Sequence, residues 1–134
     1  MEVTKINEEW FTKQVAETIL QQVKNWGDIS VYWSWGVDKL FRCEFDGKSG
    51  MMMRVHGFKL EGWVIILLNE GSDTYEIYTQ KGKLFNLAKV QFAKDDVYCD
   101  ELQNIVDRLV ETGDMTEDQY SKKVEEHYAT TQAD

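Results

Sequence analysis

The sequence predicts a single α+β domain over residues 1–134, with an N-terminal helix, a mainly antiparallel sheet of about six strands and a C-terminal helical hairpin. Apolar residues recur at every third or fourth position near both ends of the chain and at every second position in the middle. The loops between them are short, which favours antiparallel neighbours because a parallel crossover needs about a dozen residues or more. The predicted divisions are a helix over 1–28, a sheet over 29–94, an acidic hairpin over 95–130 and a frayed end over 131–134.

The first helix is marked by its ends and by one apolar stripe. Asn7 is suited to cap its start, and Gly27 is suited to end it. The stripe contains residues three or four positions apart: Phe11, Val15, Ile19, Val23 and Trp26. Such a stripe predicts a helix that packs one face on the sheet.

Short segments with strand character follow the helix. They lie at 31–35, 41–45, 51–56, 63–68, 75–78 and within 85–93. Most alternate apolar and polar residues, as a sheet with one solvated face does. The segment 63–68 is apolar throughout, which is typical of a strand covered on both faces. We expect the first helix on one face, and either the C-terminal helices or a second copy of the protein on the other.

The net charge of −9 is concentrated in the last forty residues. Residues 95–134 contain twelve acidic and three basic side chains, whereas residues 29–94 contain seven acidic and nine basic ones. The acidic region also carries helix signals: Gly113 is suited to end one helix, and Thr116 opens a capping box for another. We therefore expect a folded acidic hairpin, not a disordered tail.

Composition argues against several classes of protein. The longest apolar run has six residues, against about 20 for a membrane span. The acidic balance argues against a nucleic-acid partner, because phosphate binding relies on clustered Lys and Arg. The start lacks the pattern of a secretory signal and only two cysteines occur, so we expect a cytoplasmic location.

Residues suited to catalysis or metal binding are sparse. Cys43, Cys99, His56 and His127 lack the close spacing of a structural zinc site. Cys99 falls in the first turn of a predicted helix, where a thiol pKa can fall, but no nucleophile signature surrounds it. No phosphate-binding glycine motif occurs. We therefore expect no catalytic residue, no metal and no cofactor, and an enzyme without a readable motif is the alternative.

Two hypotheses for the function remain. The first is a non-catalytic protein-binding or regulatory module that presents an acidic helical surface to a basic partner, or that associates with itself as a homodimer. Its candidate contact residues are Tyr120, Val124, Tyr128, Asp114, Glu117 and Asp118. The simpler explanation of the acidic charge is solubility.

The second hypothesis is a small-molecule-binding protein, or an unrecognised enzyme, with an aromatic cleft on the sheet. The candidate lining residues are Trp33, Trp35, Trp63, Arg54 and His56. The simpler explanation of the aromatic residues is core packing. A cavity of about 300 Å³ or more with convergent polar groups would favour the cleft.

Overall fold

The computed structural model describes residues 2–4, 15–25, 27–45, 47–112 and 122. In this part of the chain, helices pack on an antiparallel sheet, which confirms the α+β class. The helices are α1 (Val15–Asn25), α2 (Ile29–Ser34) and α3 (Leu102–Asp107), and a π-helical turn at Arg108–Thr112 continues the last. The strands are β1 (Glu2–Thr4), β2 (Lys39–Phe45), β3 (Lys48–His56), β4 (Glu61–Asn69), β5 (Thr74–Lys81) and β6 (Gln91–Val97). A 3₁₀ turn at Leu87–Lys89 precedes β6.

The sheet is a meander in which each strand pairs with its neighbours along the chain, from β1 at one edge to β6 at the other. All five pairings are antiparallel. Strands β2 to β6 correspond to five of the predicted segments. The sixth, at 31–35, is wrong because residues 29–34 are helical, and the strand beside β2 is instead the three-residue β1. The observed strands are therefore not the six that the sequence predicted.

A local cap explains why α2 is a helix. The carboxylate of Asp28 accepts hydrogen bonds from the Ser30 backbone N–H at 2.9 Å and from its hydroxyl at 2.7 Å. Such a cap satisfies donors that a helix start leaves unpaired. At the end of α2, the side chain of Trp35 is completely buried, and its indole N–H donates to Asp107 at 3.0 Å. The alternation in this segment therefore reflects a short helix that anchors one indole, not a strand.

The inner face of the sheet packs against the helices and forms the main core. Its fully buried side chains include Ile19 and Val23 from α1, Leu102 and Val106 from α3, and Val64 and Ile66 from β4. The two α1 residues belong to the predicted apolar stripe, which is confirmed over the described part of the helix. The amide of Gln103 joins the helices, since its Nε2 donates to the carbonyls of Val23 at 2.9 Å and Asp28 at 3.0 Å.

Strand β4 is buried on both faces, as its unbroken apolar run predicted. Residues 62–67 are all buried. On the outer face a second apolar cluster surrounds the strand, formed by Cys43, Met52, Trp63, Ile65 and Leu67. Partly buried side chains pack against this cluster: Phe41, Phe45, Tyr78, Phe85 and Val90. Helix α3, one of the covers that we considered for this face, packs on the inner face instead.

The structure describes one of the two predicted C-terminal helices. Strand β6 extends to Val97, beyond the predicted boundary at residue 94, and α3 begins at Leu102. The second predicted helix lies outside the described residues, and so do its candidate contact residues Asp114, Glu117, Asp118, Tyr120, Val124 and Tyr128. None of the helices described is both long and apolar enough to cross a membrane.

Candidate binding face

The outer face of the sheet changes character along the strands. Strand register places side chains in rows that cross the sheet. One row is almost wholly apolar and contains Phe41, Met52, Ile65, Tyr78 and Phe92. The adjacent row, nearer the β3–β4 turn, contains Lys39, Arg54, Trp63 and Gln80. The face therefore has an aromatic centre and a polar end.

Apolar side chains are exposed where this face meets the loop between β5 and β6. Leu84 is 81% exposed, Phe92 58% and Leu87 48%. A groove of about 190 Å³ is lined by Phe45, Lys48, Leu67, Tyr78, Leu87, Val90 and Phe92. We call the exposed or half-exposed apolar residues of this groove the outer patch: Phe45, Tyr78, Leu87, Val90 and Phe92.

Three aromatic rings of the outer patch contact one another. The rings of Phe45 and Tyr78 stack with centroids 6.5 Å apart, and Phe92 meets Tyr78 edge-on at 5.7 Å. Contacts of this geometry hold rings in place more firmly than burial alone. The groove is smaller than the ~300 Å³ minimum typical of small-molecule sites. It is suited to a single anchor side chain of a protein partner.

A buried amide fixes the loop that borders the outer patch. Gln80 is 2% exposed, and its Nε2 donates to the Leu84 carbonyl at 2.8 Å and to the Lys81 carbonyl at 3.2 Å. Its Oε1 accepts the Asn86 backbone N–H at 2.8 Å. The Trp63 indole N–H adds a bond to the Lys83 carbonyl at 3.3 Å. The exposed leucines of this loop are therefore presented on a hydrogen-bonded backbone.

The same loop carries positive charge. Residues 81–94 contain four lysines, Lys81, Lys83, Lys89 and Lys94, and no acidic residue. All four are exposed. We call residues 81–94 the basic segment. Sequence reasoning missed it, although lysines interleaved with Leu84, Leu87 and Phe92, without an acid, were a readable signal.

The polar end of the outer face holds a network of four charged side chains. Arg54 donates through Nε to Asp38 Oδ1 at 2.8 Å, and its Nη2 also contacts that carboxylate. His56 lies between two carboxylates, with Nε2 at 3.1 Å from Asp38 and Nδ1 at 3.2 Å from Glu61. The hydrogen bond from Arg54 holds the pKa of Asp38 well below its usual range. The hydrogen bonds to Asp38 and then to Glu61 raise the pKa of His56.

A cleft of about 440 Å³ opens beside this network, and we call it the polar cleft. It is lined by Arg54, His56, Glu61, Gly62, Gly82 and Lys83. Two of the predicted cleft residues, Arg54 and His56, thus lie together. Trp63 is the neighbour of Arg54 in the row across the sheet, and its indole packs on Phe41 and Phe85.

The other two predicted cleft residues lie away from the polar cleft. Trp33 is on α2 and is 66% exposed, whereas Trp35 is buried in the inner core. The backbone carbonyl of Trp35 accepts the His56 N–H at 2.7 Å, which is a main-chain contact. The structure therefore does not assemble a cleft from three tryptophans.

The cysteines and histidines form no common site in the described part of the chain. Cys43 is 1% exposed, and burial raises the pKa of its thiol to about 12. Cys99 is partly buried beside the inner core. His127 lies outside the described residues. Among the residues that the structure describes, no group of three or more potential ligands is placed to hold a metal ion.

Comparison with known proteins assigns no role to any of these residues. No protein-family model matches the chain, and no curated protein or solved structure is significantly similar to it. Position, burial and charge on the outer face are the properties that bear on function.

Proposed function

We propose that this protein is a non-catalytic binding module whose outer patch recognises an acidic protein segment with apolar anchor residues. The exposure of Leu87 and Phe92 beside a groove of about 190 Å³ carries the proposal. Contiguous exposed apolar surface marks contact sites in soluble proteins. Aromatic anchors that enter small pockets supply most of the affinity at such contacts.

The basic segment determines the chemistry of the partner. Its four exposed lysines attract carboxylates, and charge complementarity speeds association and selects among apolar partners. The protein as a whole has a net charge of −9, and long polyanions such as nucleic acids would be repelled by most of its surface. Asp95 and Asp96 follow the basic segment directly, so its run of uncompensated positive charge ends at Lys94. A short acidic segment therefore fits this surface better than a nucleic acid does.

A displayed library of acidic amphipathic peptides, selected against the immobilised full-length protein, tests this proposal. We expect enriched peptides to bind with a Kd on the order of 10 µM. The variant Phe92→Ser should weaken their binding at least tenfold, because it removes the exposed ring beside the groove. Trp33→Ser is the matched control, since Trp33 is also more than half exposed but lies on α2. Enrichment of no peptide, or equal binding to Phe92→Ser, would refute the proposal.

A small-molecule site in the polar cleft is a second candidate, favoured by its volume and its charges. About 440 Å³ lies within the range typical of ligand sites. Arg54, held by Asp38, presents a fixed guanidinium, Lys83 adds a second cation, and Glu61 adds a carboxylate. These groups match a small polar molecule that carries a carboxylate. An NMR titration with citrate up to about 10 mM should shift the amides of Gly62 and Gly82, and Lys83→Ala should reduce the shifts. Unchanged spectra would remove this candidate.

A further inference from the structure

The described residues leave the outer patch exposed, so its occupant must lie outside them. Phe92 and Leu87 are each about half exposed, and Leu84 is almost fully so. The occupant must also supply acidic residues, because the basic segment has four lysines and no acid. These two requirements, apolar anchors and negative charge, are both met by one segment of this chain.

That segment is residues 114–129. It contains five acidic and two basic side chains, and three apolar residues at steps of four: Tyr120, Val124 and Tyr128. We propose that residues 114–129 of a second copy occupy the outer patch. This inference rests on the proposed function, because it names the partner of that patch.

The predicted distance between the anchor residues is similar to the summed distances between the aromatic rings of the outer patch. In the helix that the sequence predicts over these residues, the rise of 1.5 Å per residue would place Tyr120 and Tyr128 about 12 Å apart. Along the outer patch, the ring centroids of Phe45, Tyr78 and Phe92 are separated by steps of 6.5 and 5.7 Å. One anchor would therefore enter the groove while the other two lie over the flanking rings, as in other helix-in-groove contacts.

Docking of each copy's segment on the other copy's outer patch would give a dimer with no free docking site. Each copy offers one outer patch and one acidic segment, so two identical contacts related by a twofold axis use both. Carboxylates of the segment would face Lys83 and Lys89, and such surface pairs are screened by salt. The dimer should therefore weaken as ionic strength rises.

Sedimentation equilibrium of the full chain over a range of concentrations tests this inference. We expect a monomer–dimer equilibrium, weakened at least tenfold by Phe92→Ser and by the double variant Tyr120→Ser/Tyr128→Ser. Mixing these two variants should restore part of the dimer, because one has an intact segment and the other an intact patch. Trp33→Ser should dimerise like the unmodified chain, and circular dichroism will identify any variant that fails to fold.

A labelled synthetic peptide of residues 114–129 provides a second measurement that does not depend on the double variant. It should bind the unmodified protein and lose at least tenfold in affinity for Phe92→Ser. A chain that is monomeric at all concentrations, or a dimer that persists in both variants, would overturn the second-copy assignment. If selected acidic peptides nevertheless bind the outer patch of that monomer, the proposed function stands and only its partner is wrong.

Discussion

The two faces of the sheet share strand β4 but differ in how far their cover extends. Ile65 on the outer face and Ile66 on the inner face are both completely buried. On the inner face, burial continues outward through α1 and α3. On the outer face it ends within one residue of the centre, where Tyr78 is partly buried and Phe92 is 58% exposed. Burial at the middle of a face therefore does not show that the face is closed.

The difference follows from the elements that cover each face. Helices α1 and α3 each bring an apolar stripe, so their contacts with the sheet repeat along their length. The outer face is bordered by the basic segment, which is mostly loop and has no such period. Its leucines point to solvent while Phe85 and Val90 pack on the sheet. The inner face is covered by helices, whereas the outer face leaves apolar side chains exposed, which supports the proposed binding role.

The pair Ile66→Ala and Ile65→Ala tests this contrast most strongly. Replacing a buried isoleucine with alanine costs about 2–5 kcal/mol, and the cost depends on how well the site can collapse. We expect the loss of stability for Ile66→Ala to lie near the upper end of this range, because helices and strands enclose the side chain. Ile65→Ala should lie near the lower end, because the partly exposed rings around it can move inward. Urea unfolding of the two variants measures the difference, and equal losses would show that both faces are equally closed.

Gln80→Ala should have the next largest effect, because it removes the amide that fixes the loop beside the outer patch. The Asn86 N–H and the Leu84 carbonyl would each lose a partner, and the loss of a hydrogen bond costs about 0.5–1.5 kcal/mol. We expect a lower free energy of unfolding and faster hydrogen exchange at Asn86. Gln91→Ala is the control, since Gln91 is exposed on β6. Unchanged exchange at Asn86 would show that the loop does not depend on Gln80.

Helices and strands that show a repeating apolar pattern in the sequence were predictable. Elements that depend on one local hydrogen bond, and side chains that remain exposed, were not. Ile19 and Val23 follow the helical period, and the run 63–68 indicated a doubly covered strand. Arg54 and His56 lie together because residues two apart on a strand share a face. Helix α2 was missed because the Asp28 cap outweighs the alternation of the residues after it.

Exposure was the property that the sequence could least reveal. Phe92 and Leu87 resemble core residues in the sequence, and they are distinguished only by their exposure, since none of the described residues covers them. Strand β1 was missed for a related reason, since three residues at a sheet edge are too few to show alternation. The positive charge of the basic segment could have been predicted from the sequence, because its four lysines lie among apolar residues and no acidic residue is present.

Phe92→Ala should separate recognition from stability. The side chain is more than half exposed and keeps one edge contact with Tyr78, and such an aromatic pair contributes about 0.5–1.5 kcal/mol. We therefore expect urea unfolding to show a loss of about 1 kcal/mol or less, well below that of Ile65→Ala. A loss as large as that of Ile65→Ala would place Phe92 in the core and remove the basis for a binding role.

The smallest expected effect concerns the polar end of the outer face and its dependence on pH. Hydrogen bonds to Asp38 and Glu61 raise the pKa of His56. The protonated imidazole therefore stabilises the folded state fully at pH values below the ordinary pKa of about 6.5, and this stabilisation is lost as pH rises through the raised pKa. Asp38 has a lowered pKa, so its contribution is lost only as pH falls below its ordinary value of about 4. The unmodified protein should therefore lose a little stability between about pH 6 and pH 8, and His56→Gln should remove that slope. His127→Gln is the matched control, and the effect should be small because exposed ion pairs are screened. If His56→Gln retains the full slope, the network at the polar cleft does not link His56 to folding.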